Sequence, residues 1–200
     1  AKWLNVPLRV LGISSKQSLE IVKKAKAEGM DIKCSVPIMN LLYDEHELID
    51  FDERFKVIPP LRGSEDKEAL KHGVLDGSID AISTNHTPED IESQKREFEY
   101  ADFGADTLSG FGGMLLEIFG EINLPKAMQV LSSGNREFLS LPLAEVTEGA
   151  TADFTIYNPK QSENPADSGS KAFNRLQTSA SITGRVVATI SGTRMFRFDN

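Results

Sequence analysis

From residue 8 to about 140 the chain alternates short apolar runs with longer stretches whose apolar positions recur every three to four residues. Leu8–Leu11 reads as a strand. After it, Leu19, Val22 and Ala25 fall on one stripe while Lys23, Lys24 and Lys26 lie off it, the pattern of a helix with one buried face. Ser14 or Ser15 can cap this helix by accepting from a free N–H of its first turn, and Gly29 can end it by taking a left-handed turn without Cβ strain. Ile32–Val36, Phe55–Ile58 and Ile79–Thr84 read as a second, third and fourth strand. Between the last two, Ser64 can cap a helix carrying Ala69, Leu70 and Val74, with Gly77 just past its end. Strand, helix, strand in this order predicts parallel neighbours joined by crossover helices, an α/β sheet or barrel with Asn85 at the C-terminal end of the fourth strand.

Farther on, Glu89–Gly113 carries charge and glycine with little period and reads as a long loop, which at that end of a parallel sheet lines a site. Two more helices are expected, Met114–Phe119 and one opened by Pro125 that carries Ala127 and Leu131. From Ala150 the period changes to two. Phe154, Ile156, Val186, Ala188, Ile190, Phe196 and Phe198 lie in β-rich runs, and Ser191-Gly192-Thr193 reads as a hairpin turn. Residues 158–170, with Pro159, Pro165 and Gly169, have the composition of a surface linker. A complete eightfold barrel takes about 250 residues, roughly 30 per unit. Four units and a β tail therefore make either an open sheet or half of something larger.

Composition narrows the function classes. With 22 Lys+Arg against 30 Asp+Glu, the net charge of −8 argues against non-specific nucleic-acid binding, which needs a basic face. At 40% hydrophobic and 26% charged residues, the 200-residue chain has the makeup of one sizeable globular domain. No apolar run approaches the ~20 residues of a membrane helix, and residues 1–20 lack the form of a secretory leader. The expectation is a non-membrane, cytoplasmic protein; a start at Ala1 rather than Met is expected of a trimmed chain. The single cysteine, Cys34, excludes an internal disulfide and a Cys-based zinc cluster, and within a strand it reads as a small buried hydrophobe. The three histidines are His46, His72 and His86, of which the first two lie in charged stretches and read as solvated.

Several segments in order carry a resemblance. Phe55-Lys56-Val57-Ile58-Pro59-Pro60-Leu61-Arg62, then Asp76-Gly77-Ser78-Ile79-Asp80-Ala81-Ile82-Ser83-Thr84-Asn85-His86-Thr87-Pro88, Phe103-Gly104, Gly149-x-x-Ala152-Asp153-Phe154 and the closing Gly184-x-Val186-x-x-Thr189-Ile190-x-x-Gly192 resemble the C-terminal half of a dihydroorotase. Dihydroorotases are metal-dependent cyclic amide hydrolases of pyrimidine biosynthesis in the amidohydrolase superfamily. The resemblance implies the C-terminal half of a TIM-like (β/α)8 barrel over residues 1–148, with the C-terminal strands of a small β sandwich over 149–200. The family's first half, with its His-x-His motif and bridging carboxylated lysine, has no counterpart here.

The same resemblance says where the chemistry should lie, and the residues there depart from it. The family uses zinc, and its metal positions correspond to Gly12, Met39, Asn40 and Asn85, of which glycine has no donor atom while a thioether and amides make poor zinc ligands. The family's ligand and proton shuttle is an aspartate; Asn85 has its shape but no basic site near neutral pH. The substrate-contacting asparagine corresponds to Ile58 and the following histidine to Glu89, leaving Arg62, His86 and Pro88 as pocket neighbours.

The expectation is a dihydroorotase homologue without an intact site or a bound cofactor, acting as a structural or partner-binding protein. The candidates are a second copy, the missing N-terminal half, or aspartate carbamoyltransferase. The competing reading is an active zinc-dependent hydrolase, interconverting dihydroorotate and carbamoyl-aspartate, whose N-terminal half is missing from this chain.

Overall fold

β1 (Leu8–Val10) and β2 (Ile32–Pro37) pair in parallel, Arg9 opposite Lys33, with α1 (Lys16–Ala27) as the crossover between them. The computed structural model describes residues 3, 6–164, 169–176 and 182–198. Ser15 caps α1, its side chain accepting from Ser18 N–H, and Gly29 follows the helix with φ 79°. Leu19 and Val22 are buried on the stripe that the periodicity predicts.

The second crossover differs from the sequence reading. Phe55–Ile58 is not a strand: Glu53–Phe55 forms a short 3-10 turn, and the C-terminal half of β2 pairs directly with β3 (Ala81–Ser83), Val36 opposite Ile82. Among the described residues the sheet therefore holds three parallel strands in the order β1-β2-β3, not four. Two physical reasons are visible. Pro59 and Pro60 have no N–H to give a ladder, and the segment before them is anchored elsewhere, Val57 in the core and Lys56 C=O accepting from Gly104 N–H at 2.9 Å.

Between β2 and β3 run the short α2 (Ile38–Leu42) and α3 (Ser64–Leu75). Gly63, not Ser64, is the N-cap of α3 and makes no side-chain cap; Ser64 is the first helical residue. α1 and α3 lie against each other at Gly73, where a Cβ would come within 2.8 Å of Leu19 Cδ2 and 3.0 Å of Ile79 Cδ1. Leu70 and Val74 of α3 join Cys34, Val36, Ile79 and Ile82 in one core.

The segment read as a long loop contains α4 (Ile91–Gln94), and the helix after it opens at Phe111. α5 (Phe111–Gln129) contains both helices expected there, broken at Gly120, where φ 63° and ψ 170° leave the helical region; Pro125 lies inside α5 rather than opening a helix. A π-helical turn, Val130–Gly134, leads into α6 (Asn135–Phe138). Arg9 Nε donates to Phe138 O at 3.2 Å and Lys33 Nζ lies 3.4 Å from Glu137 Oε2, so α6 sits across the β1–β2 pair.

Beyond it, β4 (Asp153–Glu163), β5 (Ile182–Ser191) and β6 (Arg194–Arg197) form a separate antiparallel sheet. The turn at Gly192 joins β5 to β6 as the pattern predicts. The expected linker is strand as far as Glu163; β4 is an edge strand whose register shifts between Asn158 and Ser162, which accommodates Pro159. Residues 165–168 of that expected linker lie outside the described residues. α5 packs on this sheet through Gly112 and Gly113; Tyr157 Oη donates to Gly112 O at 2.8 Å, and a Cβ on Gly113 would come within 3.0 Å of Ile182 Cβ. No helix among the described residues is long and apolar enough to cross a membrane.

Candidate active site

The C-terminal ends of the three parallel strands bring most of the singled-out residues toward Pro59 and Pro60. Gly12, two residues past β1, has φ 72°; its N–H donates to Ser35 Oγ at 3.1 Å, and a Cβ there would lie 3.4 Å from Pro59 Cδ and 3.7 Å from Pro37 Cγ. A Cβ would thus meet both proline rings at ordinary van der Waals distance, and the positive φ rather than a clash is what disfavours a side chain there.

Met39 and Asn40 lie in the first turn of α2, at 1% and 3% exposure. Asn40 Nδ2 donates to Pro60 O at 2.9 Å, while its Oδ1 is buried with no hydrogen-bond partner among the described residues.

Asn85 follows β3 by two residues in a left-handed backbone, φ 49°, a region asparagine tolerates better than most side chains. Its Nδ2 donates to Ile58 O at 2.9 Å, tying the end of β3 to the proline segment. The Ile58 side chain itself is exposed.

The remaining positions diverge. His86 turns to a buried carboxylate: Nδ1 lies 3.4 Å from Asp106 Oδ1 and 3.3 Å from Thr107 N–H. Asp106 is 1% exposed and accepts from the hydroxyls of Ser109 and Ser170 at 3.1 and 2.6 Å. Glu89 serves through its backbone, N–H to Asn174 Oδ1 at 3.0 Å and C=O from Phe173 N–H at 2.8 Å. Pro88 and Arg62 are exposed, and the Arg62 carbonyl accepts from Glu45 N–H at 2.9 Å.

Three residues that sequence reasoning passed over hold this end together. Asp106 and Asn174 are fully buried polar groups, and Lys56 donates to the carbonyls of Phe98, Glu99 and Ala101 while its ammonium sits 4.7 Å from the Phe103 ring centre. A buried Asp or Asn carries no mark in a single sequence that separates it from an exposed one; only its partners do.

These groups do not fit a zinc ion. Gly12 brings no donor and Met39 a thioether, and the amide nitrogens of Asn40 and Asn85 already bond backbone carbonyls. Among the described residues no three His, Cys, Asp or Glu side chains gather so as to hold a metal. The thiol of Cys34, buried in β2, is pushed up to about 11, first by burial and then by the nearby Asp80 carboxylate. It is a core side chain, as the strand pattern predicts.

No protein-family model matches the chain. A dihydroorotase of Halalkalibacterium halodurans is 34% identical over 200 residues, 98% of this chain and 47% of that protein. The chain is a homologue of part of dihydroorotase. A second dihydroorotase, from Thermus aquaticus, is 36% identical over 163 residues, 80% of this chain and 38% of its own length. Solved structures similar to the fold are the L-hydantoinase of Arthrobacter aurescens (TM-score 0.83, 20% identity, 97% of this chain and 45% of that one) and a D-hydantoinase from Thermus sp. (TM-score 0.79, 20% identity, 95% and 44%). This dihydroorotase homologue thus spans about half the length of the curated relatives it matches, and its fold is part of the hydantoinase type of barrel.

Proposed function

We propose that this dihydroorotase homologue performs no hydrolysis and works by binding a partner. Homology to proteins named dihydroorotase supports an amidohydrolase of pyrimidine metabolism as its ancestry. The observation that carries the loss of chemistry is the Asn85–Ile58 bond. Hydrolysis of a cyclic amide needs a group that takes a proton from water and returns it to the leaving nitrogen. Asn85 has no basic site, and its amide nitrogen is committed to a peptide carbonyl. Neighbouring positions repeat the pattern: Gly12 offers no ligand atom, and Asn40 turns its nitrogen to Pro60 O.

Metal analysis of the purified protein, with an assay of dihydroorotate hydrolysis and of the reverse condensation, tests this reading. The expected result is zinc well below one equivalent and no turnover above background. Stoichiometric zinc or measurable hydrolysis overturns it.

A second reading has its own support: identity of 34% runs over 98% of the chain to a relative named dihydroorotase. In that reading a polypeptide carrying the other half of the fold brings the metal ligands and the pair hydrolyses cyclic amides. The same assay with that half present separates the two.

A further inference from the structure

Residues 90–103, in the stretch that follows β3 beyond the candidate site, have no apolar core of their own. Seven of the fourteen are charged, five of them Asp or Glu, and Ile91, Tyr100 and Phe103 are exposed. Polar bonds within the segment give it shape instead. Asp102 N–H donates to Ser93 O at 3.1 Å, Gln94 Nε2 to Asp102 O at 2.9 Å and Arg96 Nε to Glu92 O at 2.7 Å, while the N–H groups of Tyr100 and Ala101 both donate to Glu97 O. Its two ends meet at a neck. Thr87 N–H donates to Ala105 O at 3.0 Å, Gly104 N–H donates to Lys56 O, and a Cβ on Gly104 would come within 2.5 Å of the Thr87 carbonyl oxygen. A closed loop stitched in this way moves as a unit.

From outside the loop, Lys56 brings its ammonium into a cage of loop atoms. Nζ donates to the carbonyls of Phe98, Glu99 and Ala101 at 2.7, 3.0 and 2.7 Å, and it lies 5.3 and 4.7 Å from the ring centres of Phe98 and Phe103. A primary ammonium has three N–H donors and no acceptor, so three converging carbonyls satisfy it fully; two ring faces and a net-acidic segment add charge complementarity. A guanidinium, planar with its donors spread over a fork, does not match this geometry. The closed arrangement also has a cost. Gln94 Oε1 is buried with no hydrogen-bond partner among the described residues, an unfavourable burial that opening to water relieves. The Phe51 ring, which meets Phe98 edge to face at 5.7 Å, is itself 66% exposed.

We propose that residues 90–103 are a preformed receptor for a primary ammonium group, that Lys56 is its built-in occupant, and that departure of Lys56 releases the loop as one flap hinged at the neck between Thr87 and Gly104. The cage recognises the head group alone, so a free alkylammonium ion fits it as well. The receptor does not depend on whether the chain hydrolyses amides.

The test is amide hydrogen exchange followed by NMR, over urea concentrations well below unfolding. In the wild-type chain Tyr100, Ala101 and Asp102 are expected to exchange through one opening that is independent of urea, ahead of Thr87, Gly104 and Asp106. In Lys56→Ala the first group should exchange about tenfold or more faster, while the second group and the Asn85 side-chain amide signals stay as they are. n-Propylammonium, the fragment that this substitution deletes, should then slow the first group back toward wild type. Tetramethylammonium, with the same charge and no N–H donor, should not. Each of the following overturns the assignment: a urea-dependent opening shared by both groups in wild type, unchanged exchange in Lys56→Ala, equal acceleration of both groups, loss of the fold, or an equal response to the two ions, including none.

Discussion

The carboxamide of Asn85 and the backbone carbonyl of Ile58 are joined by a hydrogen bond of 2.9 Å, and Asn85 holds a left-handed backbone, φ 49°, where it makes it. The bond links the end of β3 to the proline segment that took no place in the sheet. It makes the Asn85 side chain a structural tie between the two segments.

Asn85→Asp is therefore expected to weaken the fold without restoring chemistry. The substitution replaces a donor with a second acceptor facing Ile58 O, a loss of about 1 kcal/mol at this half-buried site. Urea unfolding should show the loss, and zinc analysis and a dihydroorotate assay of the variant should stay at background, because Gly12, Met39 and Asn40 remain as they are.

Gly184 should tolerate no side chain. Its φ is 104°, and a Cβ would overlap the Tyr157 hydroxyl that reaches Gly112 O. Gly184→Ala is expected to cost about 2–4 kcal/mol through backbone strain and displacement of Tyr157, and Tyr157→Phe about 1 kcal/mol. Circular dichroism through a urea titration measures both, and equal stabilities would refute this account of the α5–β5 packing.

Cys34 should be inert in the native state and should make the fold sensitive to alkali. Its thiol, ordinarily near 9.0, is raised to about 11 by burial and by Asp80. The unfolded chain then loses this proton first, so it binds fewer protons than the native state between those values. Stability attributable to this group falls as pH rises from about 9 to 11 and is level above that. Cys34→Ala should flatten that limb of a stability-against-pH curve, and a thiol reagent at pH 8 should label wild type only as fast as it unfolds.

Asp44 should set an acid limb. Lys67 Nζ at 2.7 Å and His46 hold its carboxyl well below the usual carboxylate range, and the Asp44 side chain is 11% exposed. With the native value depressed, the stabilisation is fully present above the ordinary carboxylate value and is lost as pH falls below it, when the unfolded chain takes up the proton first. Lys67→Met should move the Asp44 titration, followed by carboxyl carbon NMR, upward. An unmoved titration would mean that Lys67 is not the cause.

Local patterns along the chain are enough for α1, with its apolar stripe, Ser15 cap and Gly29 stop, and for the period-two tail with its turn at Gly192. Such features depend on neighbours a few residues apart, whose chemistry is visible in order. The apolar run Phe55–Ile58 misleads for the same reason: an isolated strand pattern does not show whether a partner is free, and β2 pairs with Ala81–Ser83 instead. At the candidate site the sequence determined the inventory, with Gly12, Met39, Asn40 and Asn85 already poor in basic and metal-binding groups. Where each amide points was decided by the tertiary structure. Asn85 and Ile58 are 27 residues apart and Asn135 and Ile82 are 53 apart, as are many other pairs that never meet. A carboxamide is equally able to bind water, a ligand or a carbonyl, and only the packing that brings one backbone group to 2.9 Å selects among them.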